Sequence, residues 1–411
     1  MLWTLIREDE MRRFPIFIMV FIVWLIQLMP SSAGIGGTVK NLDFLGPNVD
    51  STSQKAWALI EEYKYDEAIK LCDEAIKTDP SNAKLYVCRA RVYDRKGDLD
   101  SSIKDCDKAI ELDPKIPMAF YCRGMALDSR QKHDAALNDL NQAIELKPDW
   151  SWGFMGRGRL YCSIDKYNLA IEDFNKAVEL DPKDALPYIA RAIYYSSVKE
   201  YDKAFNDVQK ALQINPNEPA AYTARAYAYN MKQNYSMARK DLTKAIELDP
   251  NNFHIYAERA YAFLGSGEFS KAIEDCNKAL EMSPMSENAF YYRGYAYSQM
   301  KEYRKAIDDF SRVLELIPKD KMTLNARSWC YEKSGRYKEA LQDFREVATS
   351  QKENPRVMLH FLKLNSLVFL HDYKYPLIII AIIIVFNILK SKANSGKRKQ
   401  KPDNLRSPYG K

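Results

Sequence analysis

Histidine is scarce in this chain: there are four in 411 residues, His133, His254, His360 and His371, each in a different segment. Imidazole-based acid–base chemistry therefore has no cluster to work from. No GxxxxGK[ST], HExxH or GxSxG occurs, so the phosphate cradle, the zinc-protease helix and the nucleophile elbow are absent as motifs. The seven cysteines include no CxxC and no zinc-ligand spacing, and their odd number argues against a disulfide framework. A surplus of one charge is also lacking from most of the chain. The total is +6, of which the last segment, Lys390–Lys411, supplies +7 from eight bases and one acid, leaving −1 before it. That balance excludes a polyanion-binding body, and nucleic acid is not an expected partner. No catalytic residue, cofactor or metal ligand is assigned.

What is present is a period. Pro80, Pro114, Pro148, Pro182, Pro216, Pro250, Pro284 and Pro318 stand 34 residues apart, each closing a phrase such as AIKTDP, AIELDP or VLELIP. Between prolines, two stretches with helical apolar spacing flank a short polar break, so each unit reads as helix, turn, helix, Pro. Proline suits the boundary because it cannot continue a helix and biases its predecessor away from helical torsions. Repeats placed on this period begin at 49, 83, 117, 151, 185, 219, 253, 287 and 321 and end at 354.

Other columns keep the same beat. Position 8 is small (Ala56, Ala90, Gly124, Gly158, Ala192, Ala226, Ala260, Gly294, Ser328), as is position 20 (Ala68, Ser102, then Ala136 through Ala340), where two helices must cross closely. Position 17 is mostly Tyr or Phe; His133 fills it in the third repeat, which makes that histidine structural first. With the 34-residue period and the closing proline, these columns resemble the tetratricopeptide repeat family. The departures are Tyr or Phe where the family often carries Trp at position 4, and Lys352 where the ninth repeat should close on proline. The resemblance implies an all-α fold, a right-handed superhelical solenoid of about nine helix-turn-helix units making about one turn. It also implies a concave groove lined by the first helices, chiefly at positions 2, 5, 9 and 12.

Arg89, Arg123, Arg157, Arg191, Arg225, Arg259, Arg293 and Arg327 at position 7 appear together with Asp105, Asp139, Asp173, Asp207, Asp241, Asp275, Asp309 and Asp343 at position 23; the first repeat has neither. Paired presence points to ion pairs within the array rather than to an anion-binding ladder. In the groove columns the expected partner-binding residues are Trp152, Met155, Arg159, Ile189, Ile193, Tyr227, Tyr261, Tyr291, Tyr295 and Trp329, an apolar and aromatic stripe of the kind that marks an interaction surface. The alternative is that these rings are half core. The lysine and asparagine clamp that chaperone-binding members use on a terminal carboxylate is missing at positions 5 and 9.

The ends do not follow the period. Residues 1–33 hold a 16-residue apolar run, Phe14–Met29, behind Arg12 and Arg13 and ahead of Ser31 and Ala33, which reads as a signal peptide or an N-terminal anchor; 34–48 is a linker. Leu377–Leu389, within 375–390, is apolar without a polar face until Asn387. Fifteen helical residues from Tyr375 cover about 22 Å against a hydrocarbon core of about 30 Å, so the expected transmembrane helix relies on Tyr373, Tyr375, Lys390 and Lys392 at its interfaces. The basic tail, 391–411, then belongs on the cytoplasmic side and the repeats outside the cytoplasm. Between them, 355–374 is a capping or juxtamembrane segment, apolar on more than one face.

Cys72 with Cys88, and Cys106 with Cys122, stand 16 residues apart at matching repeat positions; small buried hydrophobes are the first reading and oxidation stays open. One sequon, Asn234-Tyr235-Ser236, falls in an interhelix turn. The expected function is a non-enzymatic scaffold holding a protein or peptide in its groove at a membrane. The alternatives are an extracytoplasmic co-chaperone for unfolded chains and a substrate-recruiting subunit of a membrane transferase.

Overall fold

Each 34-residue period becomes two packed helices in the computed structural model, which describes residues 50–350 and 357–369. The first helices are Ser51–Glu61, Ala83–Lys96, Pro117–Ser129, Ser151–Ser163, Ala185–Ser197, Pro219–Met231 and Phe253–Gly265. Their partners are Tyr65–Thr78, Leu99–Leu112, His133–Leu146, Tyr167–Leu180, Tyr201–Ile214, Tyr235–Leu248 and Phe269–Met282. These fourteen form one compact part, which ends at Ser286. The second part holds Glu287–Gln299, Tyr303–Leu316, Lys321–Lys333, Tyr337–Ser350 and a last helix over 357–369. Among the described residues all regular structure is helical, an all-α solenoid of nineteen helices consistent with about nine repeats.

The local causes repeat as well. Many first helices are opened by a side chain that accepts from the first turn: Asp50 from the Ser53 amide, Asn82 from Lys84, Asp184 from Leu186 and Asn252 from His254. The turn to the second helix is made at position 15, where Tyr63, Gly97, Gln131, Asp165, Lys199, Gln233, Gly267, Lys301 and Gly335 all take left-handed torsions, with φ between 59° and 81°. The next amide then reaches back over the helix end, as from Lys132 to the Leu127 carbonyl at 2.9 Å. The small columns do what close crossing requires. A Cβ on Gly158 would lie 3.2 Å from the Ala170 carbonyl oxygen, and Ser328 uses its hydroxyl instead, donating to the Ala340 carbonyl at 2.7 Å.

The Arg and Asp columns meet as two-toothed bridges. In Arg191, Nε and Nη2 donate to the two Asp207 oxygens at 2.8 and 2.7 Å, while Nη1 donates to Asn175 of the preceding repeat at 2.9 Å. Asp73, Asp107, Asn141, Thr243 and Ser311 accept in the same way from Arg89, Arg123, Arg157, Arg259 and Arg327, so position 25 ties one repeat to the next. The guanidinium also lies over the position-4 ring of its own repeat in repeats two to eight, 5.6 Å above Tyr86 and Phe154, and 5.8 Å above Tyr188. The ring that replaces tryptophan is thus a platform for the bridge.

Within the first part, Tyr63 of the first repeat donates its hydroxyl to Asp249 of the sixth at 2.7 Å, so this part curls back on itself more tightly than a turn of nine repeats would. All seven cysteines are buried free thiols. Cys106 and Cys122 are hydrogen-bonding neighbours, and that bond together with burial holds the Cys106 thiol well above its ordinary range. Segments 1–33, 34–48, 375–390 and 391–411 lie outside the described residues, and with them the expected signal, linker, transmembrane helix and basic tail. Among the described residues no helix is long and apolar enough to cross a membrane.

Candidate protein-binding groove

Successive first helices pack on one another within the first part, whereas its second helices pack chiefly on the first helices that flank them in sequence. The first helices therefore form an inner layer, and positions 2, 5, 9 and 12 belong to it. Position 9 reads Trp57, Arg91, Met125, Arg159, Ile193, Tyr227, Tyr261, Tyr295 and Trp329 along the chain.

The expected exposed stripe is corrected here. Met155, Ile189, Ile193 and Tyr227 sit in one buried cluster with Trp152 packed against it, because neighbouring first helices bring them together. Tyr291 is buried against Phe310, at 5.5 Å between ring centroids. Trp152, Tyr261, Tyr295 and Trp329 are half-buried, with Trp329 edge-on to Tyr303 at 5.7 Å. The column is thus divided between a packed interior and half-buried rings.

Arg159 is 1% exposed and is part of a polar network rather than an apolar stripe. Its Nη2 lies 3.3 Å from Asp128, whose other oxygen accepts from the Ser163 hydroxyl at 2.9 Å and faces His133 Nδ1 at 3.1 Å. Two repeats before Arg159, Arg91 pairs with Asp94 at 2.9 Å. The two aspartates occupy position 12, three residues after the position-9 column. An Arg followed by Asp at i+3 on a helix face was the available signal for the Arg91 pair, and it was missed. His133 thus has a structural partner, in keeping with its place in an aromatic column.

Position 12 of the sixth repeat is different. Asn230 is 2% exposed and neither of its amide atoms has a hydrogen-bond partner. A buried amide left so costs about 1–3 kcal/mol, and such groups in native folds ask for an explanation. One helical turn earlier on the same helix stands Tyr227, whose hydroxyl is held above its ordinary range by burial and then by the nearby Glu258 carboxylate. Glu258 is itself buried, and that burial pushes its carboxyl well above the usual carboxylate range. At the edge of the same helix, Glu218 caps Pro219–Met231 and is pushed up to about 7 by burial. Tyr227, Asn230 and Glu258 are thus buried polar groups of the inner layer, while Glu218 stands at the opposite end of the helix.

A chain of tandem helix pairs, with an invariant outer lattice and an inner layer whose side chains change from repeat to repeat, defines an α-solenoid of the recognition type. Tetratricopeptide repeat models match residues 83–116, 119–149, 154–184, 219–252, 253–284, 287–320 and 323–354, together more than half of the chain. The chain belongs to the tetratricopeptide repeat family. No curated protein matches it closely enough to count as a relative. Among solved structures it is similar to yeast Tom70, at 19% identity and a TM-score of 0.54 over 81% of this chain and 72% of that one. It is also similar to the APC/C hetero-tetramer Cut9-Hcn1, at 16% identity and a TM-score of 0.57, with 77% of this chain covering 63% of that one. At these identities the likeness speaks for the fold alone.

Proposed function

We propose that this protein is a non-catalytic scaffold that reads one protein or peptide partner with its inner layer and holds it at a membrane. The observation that carries the reading is the contrast between columns. Positions 7 and 23 repeat the same Arg–Asp bridge eight times, whereas position 9 changes from Trp through Arg, Met, Arg and Ile to three tyrosines and a second Trp. A lattice that must only stack can be uniform; a surface that selects a ligand has to differ along its length. The half-buried Tyr261, Tyr295 and Trp329 supply aromatic contact on that surface. The membrane placement rests on the apolar 375–390 segment and the basic tail, with 14–29 as a second hydrophobic segment and the repeats outside the cytoplasm.

The test is affinity capture from detergent-solubilised membranes with the full chain and its Tyr261→Ala variant. Tyr261 is half-buried, so its truncation should leave the fold in place while one saturable partner is lost. Capture of many denatured proteins without saturation would favour the co-chaperone reading instead. A partner that binds both proteins equally would remove Tyr261 from the groove. Protease added to sealed membranes should spare the repeats; digestion of the repeats with the Lys411 end protected would reverse the topology.

A further inference from the structure

The last helix, 357–369, packs one apolar face on the preceding helix and carries a second apolar stripe that is largely exposed. Leu364, fully buried, packs with Phe361, Val357, Leu367 and Val368 onto Leu341, Phe344 and Val347 of Tyr337–Ser350. Its rotation is pinned by Glu332, which accepts from Lys363 Nζ at 2.7 Å and faces His360 Nε2 at 3.4 Å. Those contacts turn Leu359, Leu362, Ser366 and Phe369 outward, at helical spacings of three, four and three residues. The three large side chains of this stripe are 65%, 56% and 56% exposed, among the most exposed large hydrophobics in the described chain.

We propose that this stripe rests on the surface of a lipid bilayer, so that the end of the array lies against the membrane rather than hanging from a free tether. The proposal rests on the membrane reading of 375–390 given above. Two observations select a bilayer over a second protein. Phe369 is six residues from Tyr375, so even a fully extended link keeps the stripe within about 20 Å of the apolar run. The exposed apolar area of the stripe is roughly 300 Å², well short of the roughly 800 Å² per partner that a stable protein interface buries. A bilayer imposes no such minimum, because an interfacial helix gains from each apolar side chain it sinks about 5–10 Å into the headgroup boundary. The capping helix thereby closes the solenoid with one face and docks it with the other.

The test uses the full chain reconstituted in phosphatidylcholine vesicles, with an environment-sensitive fluorophore on Ser366→Cys in the stripe, on Lys321→Cys away from it, and on Asn387→Cys in the apolar run. The native thiols are buried and should label slowly. With nitroxide lipids present, the probe at 366 should be quenched about twofold or more, as expected of a group at the headgroup boundary, and the probe at 321 should not. Quenching at 387 without quenching at 366 would overturn the docking while leaving the anchor in place. Absence of quenching at both would overturn the anchor and the docking with it. Concentration-dependent pairing of probes at 366 without lipid quenching would assign the stripe to a second copy of the chain and also overturn the proposal.

Discussion

Truncating Arg191 to alanine should destabilise its neighbourhood far more than any surface substitution. Its side chain is 18% exposed and its partner Asp207 only 8%, so the pair sits nearer the buried than the exposed limit. The substitution removes two bonds to Asp207, one to Asn175, and the guanidinium over Tyr188 and Tyr195. What it leaves behind matters more: a buried aspartate with no counter-charge. Breaking a buried pair from one side costs about 3–5 kcal/mol, whereas an exposed pair is worth about 0–1. Replacing both partners with apolar groups removes the stranded charge, so Arg191→Met with Asp207→Leu should be milder than Arg191→Ala alone. Because the fifth repeat packs chiefly on its sequence neighbours, the loss should appear in amide exchange of Ala185–Ser197, Tyr201–Ile214 and Tyr167–Leu180 before it appears elsewhere. Chemical denaturation and exchange together make the assay. A single variant with unchanged midpoint, or a double variant worse than the single, would refute the reasoning.

Glu218 gives a pH signature: its folded carboxyl is pushed up to about 7 by burial from an ordinary 4.5. A raised folded value means the stability is whole below about pH 4.5 and is lost as pH rises toward 7, by about 3 kcal/mol in all. Glu218→Gln should abolish that part of the slope between pH 4.5 and 7.5 in parallel urea titrations, and identical slopes in both proteins would contradict it. At position 15, Gln131→Gly and Lys199→Gly relieve left-handed torsions that cost a side chain about 1–2 kcal/mol, so each should raise the unfolding midpoint, and a lower midpoint would count against the turn assignment.

How much of this was legible depends on whether a position's chemistry is carried by one residue type. The Arg–Asp bridge, the small crossing residues and the closing proline repeat as letters, so a period of 34 exposed them all. Position 25 does the same job in every repeat for which its bond to arginine is seen, accepting from Nη1, yet Asp73, Asn141, Thr243 and Ser311 share no letter and only an acceptor oxygen. The left-handed turn is likewise hidden, because six of its nine residues are not glycine and the torsion is imposed by the helix-end hydrogen bonds around it.

The inner layer was the hardest to read, and Tyr227 and Tyr261 show why. They are the same residue at the same repeat position, yet Tyr227 is 3% exposed and Tyr261 is half-buried. Nothing in either letter distinguishes them; the difference comes from what the adjacent first helices place beside each ring, such as Ile193 beside Tyr227 in its cluster. The outer lattice is local to a repeat and its predecessor, so a 34-residue window contains nearly all of its causes. An inner-layer side chain is shaped by residues one and more repeats away, and its exposure is a property of the curl that brings Tyr63 to Asp249. It follows that position-9 residues exchanged between repeats, for example Ile193→Tyr with Tyr227→Ile, would keep every outer bridge intact while repacking the inner layer.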